Sequence, residues 1–294
     1  MTPTASVASL APSVAAASRG VGPTNLDAAI DIGGRTLHVT CVGDAPAGTP
    51  TVVIETGLGG PSTEWRNVQD TLSATTRVCA YDRAGIGQSP LSDKPVRTSA
   101  DLVADLHALL QAAKIAGPYL FVGHSTGAWQ ESLYAATYPD EVVGAVYVDP
   151  RNPRTSSRFL RILGTAKAGE PASVTAFRDH QTGLEGDTGN PERFDLIASA
   201  AEAAAVEKGD GALYGSKPVI VLTAGQDSSE FADLPTTIAT AMMAVVEDGY
   251  NGYLKETANG TITRVPDSSH LMFNDRPQAI VDAVKAVLES VAGG

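Results

Sequence analysis

A chain of 294 residues, 43% hydrophobic and 18% charged, can fill one large core or two smaller ones, and its composition excludes disordered, collagenous and coiled-coil classes. With 33 Asp and Glu against 21 Lys and Arg, the formal net charge of −12 repels phosphate backbones and anionic lipid, so nucleic acid is not an expected partner. Apolar runs such as 145–148 and 219–222 are only strand-length, short of the roughly 18 residues of a membrane span.

Residues 1–27, rich in Ala, Ser, Thr, Val and Pro, read as a flexible leader. They lack the basic start and dense apolar stretch of a secretory signal, although a trimmed exported terminus would look the same. From residue 28 the pattern changes. Residues 29–32 and 36–41 flank Gly33-Gly34, whose tolerance of positive φ suits a hairpin turn. Runs at 51–54, 77–81 and 119–122 then alternate with helical stretches, the grammar of βαβ units. Between the last two runs, Leu102, Val103, Leu106, Leu109 and Leu110 recur at helical spacing and predict a helix with one buried face. Further strands are expected at 145–148, 218–222 and 261–265. A closing helix follows, with Pro277 near its start and Ile280, Val281, Val284, Leu288 and Val291 along one stripe.

The core is thus assigned to 28–149 and 217–294. Residues 150–216 carry helical patches at 159–162, 174–177 and 194–205 but no clear strand. An insertion between two strands of one open sheet would lie over their carboxyl ends, where such sheets bind ligands, and is read as a helical cap.

Gly123-His124-Ser125-Thr126-Gly127 matches G-x-S-x-G. A strand before it and helix-forming residues from 128 to 137 supply the strand-turn-helix setting that places a serine on a sharp turn. A serine hydroxyl needs a general base, normally a histidine oriented by a carboxylate. Of the five histidines, His38 falls in an early strand, His107 on the helix before the motif, His124 within the motif and His180 in the insertion. His270 stands in a loop after the last strand, where catalytic side chains concentrate, and is the expected base. Two acids end strands between Ser125 and His270. Asp227, in a glycine-containing loop with room to reach the histidine, is favoured. Asp149, followed by Pro150, is the alternative and could equally be a turn residue. Oxyanion donors are expected from the backbone N–H groups of Thr126 and of Leu58 in Thr56-Gly57-Leu58-Gly59-Gly60. That segment lacks the third spaced glycine of a dinucleotide fingerprint.

Together, Glu55-Thr56-Gly57-Leu58-Gly59-Gly60, Tyr81-Asp82-Arg83-Ala84-Gly85-Ile86-Gly87-Gln88-Ser89, Val122-Gly123-His124-Ser125-Thr126-Gly127, Val148-Asp149-Pro150 and Ser269-His270 resemble the α/β-hydrolase superfamily. The resemblance implies the α/β-hydrolase fold: a mostly parallel eight-stranded sheet flanked by helices, with a cap over the pocket. It also implies Ser125 as nucleophile, His270 as base, and Leu58 and Thr126 as oxyanion donors. The chain departs from the family at Thr56, where a His-Gly pair is frequent, and at Ala128, where a second glycine often follows the elbow. Asp82, Arg83, Gly85 and Gly87 read as a structural loop beneath the site.

In the sheet order that the resemblance implies, the strands carrying Cys41 and Cys79, the two cysteines, are neighbours, so a disulfide is a candidate and would favour an oxidising, extracytoplasmic compartment. Buried free thiols are the alternative. No Cys and His cluster has metal-ligand spacing, and neither metal nor cofactor is expected. The leading function is a serine hydrolase cleaving a carboxylic ester, lactone or thioester of a small, largely apolar substrate. A cofactor-free perhydrolase resembling the haloperoxidases, and a small-molecule binding protein on the same fold, are the other readings. Phe159 and Phe177 of the insertion, with Trp65 and Trp129, are candidate pocket walls, and the tryptophans could instead pack beneath the elbow.

Overall fold

The computed structural model describes residues 25–46, 48–225 and 230–293. In chain order the first half holds β1 (Leu26–Asp31), β2 (Thr36–Val42), β3 (Thr51–Glu55), α1 (Arg66–Leu72), β4 (Val78–Tyr81), α2 (Ser99–Ala112), β5 (Tyr119–His124), α3 (Gly127–Thr137) and β6 (Val142–Val148). The second half holds α4 (Thr155–Leu163), α5 (Ala172–Gly186), α6 (Leu196–Val206), β7 (Gly215–Ala224), α7 (Thr236–Leu254), β8 (Thr257–Val265), α8 (Met272–Asp275) and α9 (Pro277–Gly293).

The strands form one sheet of eight in the order β1-β2-β4-β3-β5-β6-β7-β8. Pairing is antiparallel for β1 with β2 and for β2 with β4, and parallel across the rest. Strands covered on both faces alternate their apolar side chains between two cores. Val52, Ile54, Leu120 and Val122 pack with α1 and α9, whereas Val53, Tyr119 and Phe121 pack with α2 and α3. This sandwich leaves the carboxyl ends of β3, β5 and β6 as the place where loops can converge.

Several boundaries differ from those read in the sequence. Leu26 and Asp27, assigned to the leader, are paired in β1 opposite Cys41 and Thr40. Residues 1–24 of that leader lie outside the described residues. β7 and β8 start earlier than expected because Gly215 already pairs with Thr257. The helix α7 has no counterpart in the sequence reading. Its buried stripe of Met242, Val245, Gly249, Tyr250 and Tyr253 is interrupted by glycine and polar residues. Cys41 and Cys79 face each other across β2 and β4 and are joined as a disulfide. No helix among the described residues is long and apolar enough to cross a membrane.

Candidate active site

Ser125 follows β5 directly and stands two residues before α3. Its φ of 53° lies in the left-handed region, an unfavourable conformation for a residue with a Cβ that costs about 1–3 kcal/mol and must be held by its surroundings. The flanking glycines show what holds it. A Cβ on Gly127 would come 2.5 Å from the carbonyl oxygen of Glu55, and one on Gly123 would come 2.3 Å from the Glu131 carboxylate. Only side-chain-free residues let the chain turn this tightly between β5 and α3.

His270 lies in the loop between β8 and α8. Its Nδ1 is 2.6 Å from Oδ2 of Asp149. A carboxylate only accepts, so Nδ1 carries the proton and Nε2 is left unprotonated. Asp149 stands at the end of β6 with φ 41°, a second strained position. Its Oδ1 accepts from the Tyr250 hydroxyl at 2.6 Å and from the Ala224 backbone N–H at 3.0 Å. Burial raises the pKa of this carboxyl, but the hydrogen bond and charge of His270, together with Tyr250 and Ala224, outweigh it and leave the pKa below the usual carboxylate value. The carboxylate that meets the imidazole is therefore that of the second candidate, Asp149. Asp227, the favoured one, lies outside the described residues. Asp149 is no mere turn residue, because the left-handed turn swings its carboxylate from the end of β6 across β7 to α7 and His270.

His124, treated in the sequence only as the variable position of the motif, supports the same loop. Its Nε2–H donates to the carbonyl oxygen of His270 at 2.8 Å, and its ring lies 4.5 Å from that of His270. Burial, reinforced by the nearby His270, pushes the His124 pKa down to about 3, so this ring stays neutral and serves as a donor.

The expected oxyanion donors flank the serine. Thr126 is the residue before α3, and Gly57 abuts the elbow, since a Cβ there would come 2.8 Å from His124 Nδ1 and 3.4 Å from Ser125 Cβ. Among the described residues, neither the Leu58 nor the Thr126 backbone N–H makes a hydrogen bond. Arg83, read from the sequence as structural, lies beneath this loop and binds the carbonyls of Thr56 and Gly57 as well as the Glu192 carboxylate.

Ser125, Asp149 and His270 line one cavity of about 380 Å³, with Phe159, Phe231, Val246 and Tyr250 on its walls and Arg151 and Glu230 among its polar members. Of the four candidate wall residues, only Phe159 lines it. Phe177 stands behind Phe159 and Phe231, with ring centroids 6.0 and 5.9 Å away. Trp65 is fully buried under the elbow against Phe273 and His124. Trp129 donates from Nε1 to the Arg151 carbonyl and stacks near Phe194. Both tryptophans are buried, Trp65 in the turn before α1 and Trp129 in the first turn of α3. Phe231 and Tyr250 were missed. The helical recurrence of Met242, Val245 and Tyr253 around Tyr250 was the available signal for α7.

A mostly parallel eight-stranded sheet, a strained serine between β5 and α3, and a histidine presented after β8 are the architecture of the α/β-hydrolase fold. The chain belongs to the alpha/beta hydrolase family, whose sequence profile matches residues 52–283. Among solved structures it is similar to a haloalkane dehalogenase variant from Bradyrhizobium elkanii (16% identity, TM-score 0.62, covering 92% of this chain and 97% of that one). It is also similar to a thermophilic esterase from Thermogutta terrifontis (20% identity, TM-score 0.56, covering 92% and 99%). Both likenesses concern the fold. Among curated proteins it is 32% identical over 213 residues to the "Probable transporter efuK" of Hormonema carpetanum, across 66% of this chain and 30% of that protein. The chain spans less than half the length of the curated relatives it matches.

Proposed function

We propose that the protein is a serine hydrolase that cleaves a carboxylic ester of a small, largely apolar substrate through an acyl-enzyme, with Ser125, His270 and Asp149 as its triad. The observation that carries this reading is the 2.6 Å pair of His270 Nδ1 and Asp149, set on the same cavity as the strained Ser125. In the neighbouring solved structures a haloalkane dehalogenase appears beside an esterase, but a dehalogenase needs a carboxylate where this chain has Ser125.

In this mechanism Ser125 Oγ attacks the ester carbonyl carbon and its proton passes to Nε2 of His270. The negative charge that forms on the carbonyl oxygen is met by the N–H groups of Leu58 and Thr126. Collapse of the intermediate expels the alkoxide, which takes the proton from His270, and leaves the acyl group on Ser125. Water, deprotonated by His270, then attacks the acyl carbon; collapse breaks the bond to Ser125 Oγ, which takes the proton back from His270, and releases the acid. Asp149 holds the imidazole in the required tautomer and stabilises its cationic form. The helices between β6 and β7 act as the cap, with Phe159 covering the acyl or alcohol group. The Cys41–Cys79 disulfide suits an oxidising compartment.

The test is hydrolysis of p-nitrophenyl esters of graded acyl length by the wild type and by Ser125→Ala, His270→Ala, Asp149→Asn and Asp227→Asn, each checked for folding. Loss of about a thousandfold or more in the first two is expected. A folded Ser125→Ala variant that hydrolyses the esters as fast as the wild type would sink the serine mechanism.

A further inference from the structure

We propose that Glu192, carried by the insertion, is a positioning residue for the oxyanion hole: through Arg83 it fixes the peptide that presents the Leu58 N–H. The inference rests on the serine hydrolase reading above.

Glu192 lies between α5 and α6, far in sequence from the elbow, and is 1% exposed. Its carboxylate makes three hydrogen bonds. Arg83 Nε donates to Oε2 at 2.7 Å, Arg83 Nη2 donates to Oε1 at 2.9 Å, and the backbone N–H of Gly59 donates to Oε1 at 2.6 Å. The same guanidinium donates from Nη1 to the Thr56 carbonyl at 2.7 Å and from Nη2 to the Gly57 carbonyl. One buried Arg–Glu pair therefore holds two carbonyls and one N–H of the loop after β3.

The geometry of the peptide unit gives this its consequence. In a trans peptide the C=O of one residue and the N–H of the next point in opposite directions. With the Gly57 carbonyl turned to Arg83, the Leu58 N–H is turned away from it. Gly57 itself abuts the elbow, so the side away from Arg83 is the side of Ser125. With Gly59 N–H taken by Glu192, the loop cannot rotate to exchange one N–H for the other. Only a charge pair at this place serves: five guanidinium donors must find acceptors in a dry site, and Glu55 at 3.4 Å supplies only part of the demand. The charge and hydrogen bonds of Glu192, with Glu55, overcome the effect of burial and raise the Arg83 pKa above its ordinary value.

The insertion is seated where this requires. A Cβ on Gly85 would come 2.1 Å from the Pro191 carbonyl oxygen, and Arg97 exchanges backbone hydrogen bonds with Arg193 and Asp195. The stretch 191–195 is thus docked onto the core loops by main-chain contacts, and the donor side of the site is complete only with it in place.

The experiment compares two inhibitors across the wild type, Glu192→Ala and Glu192→Gln. An alkyl trifluoromethyl ketone accepts Ser125 Oγ at its carbonyl carbon, passes the serine proton to His270 and places an oxyanion in the hole. The alcohol of the same chain length fills the cavity with no such charge. For Glu192→Ala, kcat and ketone affinity are expected to fall together by about tenfold to a hundredfold, with KM and alcohol affinity unchanged. Glu192→Gln keeps an acceptor for Gly59 and should fall between. An unchanged ratio of the two inhibition constants in either variant, or parallel loss of both affinities, would overturn the proposal. Should Glu192→Ala fail to fold, the ratio in Glu192→Gln decides it. A ketone that binds Ser125→Ala as tightly as the wild type would instead defeat the serine reading.

Discussion

Among the contacts by which the segment between β6 and β7 meets the rest of the molecule, two are unlike in kind. At 191–195 it touches the core through main-chain hydrogen bonds and the buried Glu192–Arg83 pair, at distances of 2.6 to 2.9 Å. At α4 and α5 it touches through rings: Phe159 and Phe177 pack on Phe231, with centroids 5.6 and 5.9 Å apart, in a cluster that includes Leu163, Val174 and Met242. Directional bonds fix a geometry to a few tenths of an ångström, whereas apolar packing fixes volume and tolerates changes of shape. The first contact borders the proposed oxyanion donors and the second borders the cavity. On the proposed mechanism, one insertion would set the rate through one end and substrate size through the other.

The largest effect expected lies outside both contacts, at the acid. Asp149→Asn should lower kcat on the order of 10⁴-fold, because an amide favours the wrong imidazole tautomer. Asp227→Asn should leave most activity, and the reverse ranking in the ester assay would transfer the triad role to Asp227. Next in size is Phe159→Ala. Removing this buried ring should cost about 3–5 kcal/mol of stability and shift the preferred p-nitrophenyl ester to longer acyl chains by enlarging the cavity. The contrast between the two contacts predicts that the ketone-to-alcohol inhibition ratio stays constant in this variant. If Phe159→Ala moved that ratio, or Glu192→Ala moved the acyl-length profile, the two contacts would not be separable.

These two contacts were unequally legible in the sequence, as were the members of the site. The elbow could be read because its constraint is local: Gly123 and Gly127 flank Ser125, and each meets atoms that exclude a side chain. His270 was readable from its loop. The choice between Asp149 and Asp227 was not, because both follow neighbouring parallel strands and the path of a carboxylate depends on φ 41° at Asp149 and on Tyr250 from a distant helix. Gly249 and Gly252 interrupt the apolar pattern of that helix. A Cβ at Gly249 would come 2.8 Å from Asn152 Cβ, a tertiary demand invisible in periodicity. The Arg83–Glu192 pair spans 109 positions and follows no local rule. Trp65 and Trp129 were identifiable as large apolar residues near the site, but which way each faced depended on packing.

A third anchor of the insertion permits a pH test of the comparison. Glu207, just after α6, is buried and accepts from Ser132 of α3 at 3.1 Å. Burial, aided by Glu256 and opposed by the Ser132 hydrogen bond, pushes its pKa from 4.5 up to about 8. The folded state then binds the proton more tightly than the unfolded state, so stability is full below about pH 4.5 and is lost as pH rises through about 8. In Glu207→Gln this part of the slope should vanish, a difference of roughly 4 kcal/mol between about pH 5 and 9 in urea unfolding. A variant that kept the full wild-type slope would show that Glu207 does not titrate between the two states.

The smallest effect expected is at Tyr250, and it tests the acid side with a change of one oxygen. Among the described residues its hydroxyl is one of three donors on the Asp149 carboxylate, beside Ala224 N–H and His270 Nδ1. Tyr250→Phe removes that donor and leaves the ring in place, so KM and the acyl-length profile should hold while kcat falls by about threefold to tenfold. The sign of the pH effect follows from the lowered pKa of Asp149. Its contribution to stability is present above the unfolded value of 3.8 and is lost as pH falls through the lower folded value. With one donor fewer the folded pKa rises toward 3.8, and acid unfolding of the variant should begin at higher pH than in the wild type. Coincident acid transitions for the two proteins would mean that Ala224 and His270 alone hold the carboxylate ionised. In that case Tyr250 would belong with Phe159 as a wall of the cavity.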